Sequence, residues 1–303
     1  MSEEVYHIPA LLGPTLDALD VRSGGVYVDA TLGGAGHTRA ILERLGSGGR
    51  LFSFDQDIDA IKRAPDDPRL TTVHSNFRYI TNFMDYYGVE GSVDGVLADL
   101  GVSFHHFDDA SRGFSFRADG PLDMRMNPSA KMSAADYVAA ADAEALADVF
   151  RLYGELKQAR RMAQRIVEER QREPIATTGR LVDIVRPLVN PAREKKELAQ
   201  VFQALRIEVN NEMDALRALL DGILRVLRPG GRIAILTYHS LEDRMVKNFL
   251  RTGNVEGKED KDFFGRTASP VSPLGSKPVV PDEAEIEANP RSRSAKLRAG
   301  IKI

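Results

Sequence analysis

Three acidic residues, Asp29, Asp55 and Asp99, each close a short apolar run, and a glycine cluster follows the first. The runs are 26–30 (VYVDA), 50–54 (RLFSF) and 93–99 (VDGVLAD), each suited in length and composition to a buried strand. After Asp29 the chain reads Ala30-Thr31-Leu32-Gly33-Gly34-Ala35-Gly36-His37, then turns to a helical pattern over 37–45. Glycines between a strand and a helix permit a tight turn and let a ligand approach the backbone; the helix start supplies free N–H groups. Asp55, roughly twenty residues past Gly36, stands where a carboxylate accepts hydrogen bonds from two ribose hydroxyls. Together they point to an adenosine-type cofactor.

Two details discriminate between such cofactors. A dinucleotide fingerprint needs glycines as G-x-G-x-x-G, and here Arg39 stands where the third should be. Asp29 at a strand end suits a cationic ammonium better than a pyrophosphate. Both favour S-adenosylmethionine. The competing reading is a glycine-rich turn in another kind of α/β protein. A single strand-end Asp is commonly a cap or turn residue. Three of them at the carboxyl ends of a parallel sheet share one crevice, where ligands of open α/β sheets bind. His239, after the run 232–237 (RIAILT), is a further acid–base candidate, with a helix-capping turn beside Ser240 as its alternative role.

The elements that must position these residues alternate through the first hundred residues. Besides the three runs, 70–74 reads as a strand, and 58–63 and 77–87 as helices. Strict alternation means crossover units and a parallel sheet. The stretch 101–128 reads as a long loop. Three helical segments follow: 133–173 with a Ser133-x-x-Asp136 capping box, a second from Thr177 or Thr178 to Val189, and 193–227. Then 228–231 (RPGG) reads as a turn, 232–237 as a strand, 241–250 as a helix, 252–289 as loop and 296–303 as a final strand with residues 297, 299, 301 and 303 on one face. The expected fold is α/β, Rossmann-like, with an inserted all-helical domain: 1–112 and 209–303 form the discontinuous sheet domain, and 113–208 the insert.

Composition narrows the chemistry. The 303 residues include no cysteine, which excludes disulfides, thiolate metal sites and a cysteine nucleophile. The six histidines show no metal-ligand spacing on an obvious helix, and no metal is expected. No apolar window reaches membrane-span length and the N-terminus lacks a signal-peptide pattern, so the expected location is cytoplasmic. The net charge of −3 argues against indiscriminate coating of nucleic acid but leaves room for local basic faces. Residues 151–172 hold seven Arg/Lys against three Glu, and 289–302 hold five without an acid.

The ordered motifs resemble the bacterial RsmH (MraW) family of small-subunit rRNA cytosine-N4 methyltransferases. The blocks are 7–12 (HIPALL), 29–38 (DATLGGAGHT), 99–103 (DLGVS), 112–116 (RGFSF), 120–126 (GPLDMRM), 153–155 (YGE), 202–210 (FQALRIEVN), 238–244 (YHSLEDR) and 289–298 (NPRSRSAKLR). The resemblance implies a class I S-adenosylmethionine-dependent methyltransferase whose helical insert helps hold RNA. Its target would be a cytidine in the decoding region of 16S rRNA in the small ribosomal subunit. By position the family's cofactor contacts fall on Ala35, Gly36, His37, Asp55, Phe77, Asp99 and His106. The chain departs from the family at Ala35 (usually Gly), Thr38 (usually Ser), Phe104 (usually Ser), His106 (usually Gln) and Tyr238 (usually Phe).

Cytosine N4 is a weak nucleophile because its lone pair is conjugated with the ring. Without a cysteine to attack the ring, direct in-line transfer is the open route, and the protein contributes orientation, desolvation and an acceptor for N4–H. Asp99 and His239 are the candidate acceptors; Asp99 has holding the cofactor as its other role. The RNA-binding candidates are Arg125, Arg160, Arg161, Arg165, Arg291 and Arg293. Asp123 with Arg125 either clamps a base or phosphate or forms an internal ion pair. Phe104, Phe107, Phe114 and Phe116 either stack on an extruded base or pack beneath the loop. Gln203, Arg206 and Asn210 share a helix face that touches RNA or fixes the domain junction. Alternatives to the enzyme reading are an S-adenosylmethionine-binding ribosome-assembly factor without turnover, or an amino-methyltransferase on another polynucleotide. A monomer and a homodimer are equally compatible with the sequence.

Overall fold

A computed structural model describes residues 9–101, 107, 109–259 and 269–303. The chain divides into two units, 1–101 with 214–303, and 102–213.

Among the described residues the first unit is built on seven strands: β1 (Val26–Asp29), β2 (Arg50–Asp55), β3 (Leu70–His74), β4 (Val93–Asp99), β5 (Leu227–Thr237), β6 (Val271–Pro273) and β7 (Lys296–Lys302). Their order is β3-β2-β1-β4-β5-β7-β6. The first five are parallel, whereas β7 runs antiparallel to β5 and β6. Strand order reverses between β1 and β4, the topological switch point at which open α/β sheets bind ligands.

Both faces of the sheet are covered, so its central strands are apolar on both sides. Along β4 and β1 the side chains alternate between two cores. Val28, Val96 and Ala98 join Phe52, Phe54, Ile80, Leu220 and Phe249 in one core. Tyr27 and Leu97 join Leu16, Ile41, Leu45, Leu51 and Leu236 in the other. The helices that cover the sheet include α1 (Leu12–Leu19), α2 (Gly36–Leu45), α3 (Ile58–Lys62) and α4 (Ile80–Tyr86), with a 3-10 turn at Phe77–Tyr79.

The second unit contains α5 (Ala134–Ala140), α6 (Ala143–Leu152), α7 (Ala159–Arg170), α8 (Thr178–Val185) and α9 (Glu194–Asn210). Their apolar faces meet in a core that includes Leu146, Phe150, Met162, Ile166, Leu181 and Leu205. The Ser133–Asp136 capping box forms at the start of α5, and Thr177 caps α8. Then α10 (Glu212–Val226), α11 (Ser240–Thr252) and α12 (Glu283–Ala288) complete the chain.

Several expectations change. The stretch 193–227 is two helices, because Asn211 adopts a left-handed conformation at φ 50° and ends α9. The RPGG segment lies inside β5 as a bulge: Val93 pairs with Leu227 but Gly95 with Arg232, and Gly230 takes φ 77°. The region 252–289 is not loop throughout, since it carries β6 and α12. Along β7 only Leu297 and Gly300 are buried, so its expected apolar face is not a core face.

Candidate functional site

Hydrogen bonds tie the carboxyl ends of four neighbouring strands together. From β1 to β2, the Gly33 N–H donates to Oδ2 of Asp55 at 2.9 Å. The other Asp55 oxygen accepts the Asp57 N–H at 2.8 Å. From β1 to β4, the Asp99 N–H donates to Oγ1 of Thr31 at 2.7 Å. From β4 to β5, the Tyr238 hydroxyl donates to Oδ1 of Asp99 at 2.7 Å. The glycine loop and the strand-end acids are thus one connected structure.

Asp29 lies beneath it, fully buried. Its Oδ2 accepts from the Thr38 hydroxyl at 2.7 Å and its Oδ1 from the Thr31 N–H at 3.1 Å. Thr38 in turn lies 2.9 Å from the Ser53 hydroxyl. Burial pushes the Asp29 carboxyl up to about 6, against the pull of these donors. Asp29 therefore anchors the loop from within. The role of Thr38 and Ser53 escapes sequence reasoning, because their contact joins a helix to a strand.

Within the loop the glycines differ. Around Gly34 an added Cβ would meet nothing within 4 Å, and around Gly33 only the Thr31 carbonyl at 3.9 Å. This is open space against bare backbone. At Gly36 a Cβ would come within 2.9 Å of the Pro9 ring, so the close approach there is made by the chain itself. Ala35 caps α2 in the left-handed region at φ 62°, a conformation that costs an L-residue. His37, 5% exposed, places Nδ1 at 3.5 Å from Oδ2 of Asp99. Burial lowers its pKa, while the charge of Asp29 and the Ala10 backbone oppose that. Phe77 starts the turn capped by Asn76 and packs partly buried against the sheet core.

Asp99 keeps 24% of its side chain exposed. Burial pushes its carboxyl up to about 7; the Tyr238 hydrogen bond pulls down and the Glu242 charge pushes up. Burial likewise raises Asp55. His239 is the N-cap of α11. Its Nδ1 accepts the Glu242 N–H at 3.5 Å, and its Nε2 lies 3.0 Å from Oε1 of Glu242. The capping turn is thus realised, with both ring nitrogens facing Glu242.

In the second unit, Arg125 makes the internal ion pair. Its Nε and Nη2 donate to Asp123 at 2.9 and 2.6 Å, and Nη1 to the Ala130 carbonyl at 2.7 Å. Asn210 clamps the same loop, donating to the Met124 carbonyl and accepting the Met126 N–H, both at 2.8 Å. Gln203 donates to the Tyr153 carbonyl, and Arg206 pairs with Glu212 at 2.8 Å. This helix face therefore braces its own unit. Phe114 is buried and Phe116 packs on Phe202, whereas Phe107 is 40% exposed. Phe104 and His106 lie outside the described residues.

Arg160 and Arg161 are exposed on α7, with no ion pair among the described residues. Arg165 pairs with Glu169 at 3.2 Å. Arg291 and Arg293 are exposed. The neighbouring Lys296 and Arg298 are bound to Asp243 at 3.3 and 2.6 Å, which removes them from the expected basic tail.

The chain matches the model of the MraW methylase family over residues 4–303. It is 59% identical over 301 residues to the ribosomal RNA small subunit methyltransferase H of Parabacteroides distasonis, covering 99% of each chain. The protein of the same name from Bacteroides thetaiotaomicron is 57% identical over 300 residues, covering 99% of this chain and 98% of its own. Among solved structures, an rRNA methylase from Streptococcus thermophilus aligns with 98% of this chain and 99% of its own, at 13% identity and a TM-score of 0.40. The expected class I, Rossmann-like architecture is present in the sheet order described above. By its match across almost the whole sequence, the chain belongs to the MraW methylase family.

Proposed function

We propose that this chain is an S-adenosylmethionine-dependent methyltransferase acting on 16S rRNA of the small ribosomal subunit, in the cytoplasm, and that it methylates the exocyclic N4 of a cytidine in the decoding region, position 1402. The observation that carries the chemistry is Asp99: a strand-end carboxyl at the switch point, accessible over part of its surface and poised at about 7. A base with that affinity is matched to accepting a proton near neutral pH.

The residues fit the cofactor. Gly33 and Gly34 leave open space against backbone. Asp55 uses its two oxygens on backbone N–H groups but retains further lone pairs for ribose hydroxyls. Ala35, Gly36 and His37 offer the start of α2, Phe77 an apolar edge, and Asp99 the neighbouring strand end. His106 is assigned with them by family resemblance alone. When bound, S-adenosylmethionine supplies an electrophilic methyl group on a sulfonium.

The protein's own part is to hold the target amine in line and to accept its proton. N4 gains a methyl group and sheds one proton, which Asp99 takes. With no cysteine in the chain, no covalent thioether to the base forms on the way. His239 is the second acceptor candidate, but its ring is engaged with Glu242. RNA phosphate is met by Arg160, Arg161 and Arg165 on the helical unit, with Arg291 and Arg293 near the C-terminus. Arg125 instead shapes the 120–126 loop, its guanidinium being committed to Asp123 and Ala130.

The test is methyl transfer from labelled S-adenosylmethionine to small subunits from a strain lacking this activity, followed by nucleoside digestion and mass identification. N4-methylcytidine is the expected product. Bound cofactor without transfer would instead favour an assembly factor or another polynucleotide substrate.

A further inference from the structure

We infer that Tyr238 is a positioning residue for methyl transfer: its hydroxyl holds the Asp99 carboxylate in one orientation and favours its charged, proton-accepting form. The inference rests on the reading of Asp99 as the acceptor of the amine proton.

Three contacts fix Tyr238. Its backbone N–H donates to Oε2 of the buried Glu242 at 3.0 Å. Its ring lies against Gly101, where an added Cβ would sit 3.0 Å from Cδ2 and where φ is 147°, a region essentially reserved for glycine. Its hydroxyl donates to Oδ1 of Asp99 at 2.7 Å. The first two contacts would serve a phenylalanine equally well. Only the third needs the hydroxyl, and a neutral donor on an ionised acceptor is among the stronger hydrogen bonds.

The surroundings of Asp99 explain why that donor matters. From α2, His37 approaches Oδ2, and burial lowers its proton affinity against the opposing charge of Asp29. From β1, the Asp29 carboxyl lies beneath the same strand ends and interacts with Asp99 as a like charge. From α11, Glu242 repels a second negative charge. Burial acts in the same sense. Among these groups Tyr238 stands out as the side chain that lowers the proton affinity of Asp99. With one Oδ1 lone pair occupied by Tyr238, the amine is left the remaining lone pairs, those of Oδ2 lying beside His37 at 3.5 Å.

The experiment is the pH profile of kcat for Tyr238→Phe on small ribosomal subunits, beside the wild type. Removing the donor raises the proton affinity of Asp99. The acid limb should therefore move up by about one pH unit, with a roughly fivefold loss of kcat at pH 7 that recovers near pH 9. The KM for subunits should stay within about twofold, since the hydroxyl contacts Asp99 and none of the RNA-binding arginines. In an Asp99→Asn background the residual rate should not respond to Tyr238→Phe. An acid limb that stays in place, or a loss equal at every pH, overturns the inference while leaving the wild-type activity standing. A wild-type protein that methylates no cytidine removes the reading of Asp99, and the inference falls with it.

Discussion

The Gly33 N–H and the Asp55 carboxylate are joined across two strand ends at 2.9 Å, so the glycine loop and the acid that follows it are a single structural unit. Asp55 also receives the Asp57 N–H, which turns the chain into α3. Asp55→Ala should leave both N–H groups without their acceptor and let the loop relax. Affinity for S-adenosylmethionine, measured by calorimetry, should fall at least about tenfold, the worth of one charge-assisted hydrogen bond. Unchanged affinity would mean that the carboxylate serves the loop and not the ligand.

Asp99 gives a stability prediction whose sign differs from the usual aspartate. Its folded pKa of about 7 lies above the ordinary 3.8. Between those values the folded protein keeps a proton that the unfolded chain has released, so stability declines as pH rises through that window. Above it both states are ionised and the full penalty applies. Asp99→Asn carries no such penalty. In urea titrations it should be more stable than wild type at pH 8, by on the order of 4 kcal/mol, and indistinguishable near pH 3. The same variant should lose methyl transfer at all pH values. A variant less stable at pH 8 would show that the Tyr238 bond outweighs the burial of the charge.

Much of this arrangement is readable in the sequence. Apolar runs ending in Asp29, Asp55 and Asp99 give strands and their direction, but not the burial of Asp29, which lies beneath the loop instead of in a crevice shared with the other two acids. The capping box at Ser133 is local, so spacing reveals it. What escapes is non-local. Thr38 meets Ser53 and Asp29 only when α2 lies on β1 and β2. Tyr238 reaches Asp99 because β5 pairs beside β4, a neighbour from which more than a hundred residues of helical insert separate it in sequence. The bulge in β5 escapes for another reason: Arg-Pro-Gly-Gly is an ordinary turn signal, and pairing with β4 overrides it.

Ala35 stands in a left-handed conformation that favours glycine, yet its methyl is fully buried. The backbone term is worth about 1 kcal/mol against alanine. Glycine would relieve it but give back part through a freer unfolded chain. Ala35→Gly should therefore stabilise the protein by about 0.5 kcal/mol, seen as a small rise in melting temperature. A fall would show that packing of the buried methyl prevails.

His239 separates a capping role from a catalytic one. Asparagine is a strong N-cap but titrates nowhere near neutrality. His239→Asn should keep both the stability of α11 and the rate of methyl transfer. His239→Ala should cost about 1 kcal/mol of stability through the lost cap, with kcat unchanged once the protein is folded. If the asparagine variant is as stable as wild type but loses transfer a hundredfold or more, a size of effect expected of a general base, His239 and not Asp99 takes the proton.

The helical unit offers the cleanest test of RNA binding. Arg160 and Arg161 carry no ion pair among the described residues, and Arg165 shares its charge with Glu169. Charges left unpaired at a surface do little for folding, so replacing them should not unfold the unit. Each phosphate contact that is lost flattens the salt dependence of binding by a little under one unit of log K against log salt. The triple replacement of Arg160, Arg161 and Arg165 by Ala should raise KM for small subunits by at least about tenfold at physiological salt and reduce that slope by about two, with Arg165 contributing least. S-adenosylmethionine affinity and melting temperature should not change. An unaltered KM and slope would return these arginines to the role of a solvated helix face and leave Arg291 and Arg293 as the RNA contacts to test.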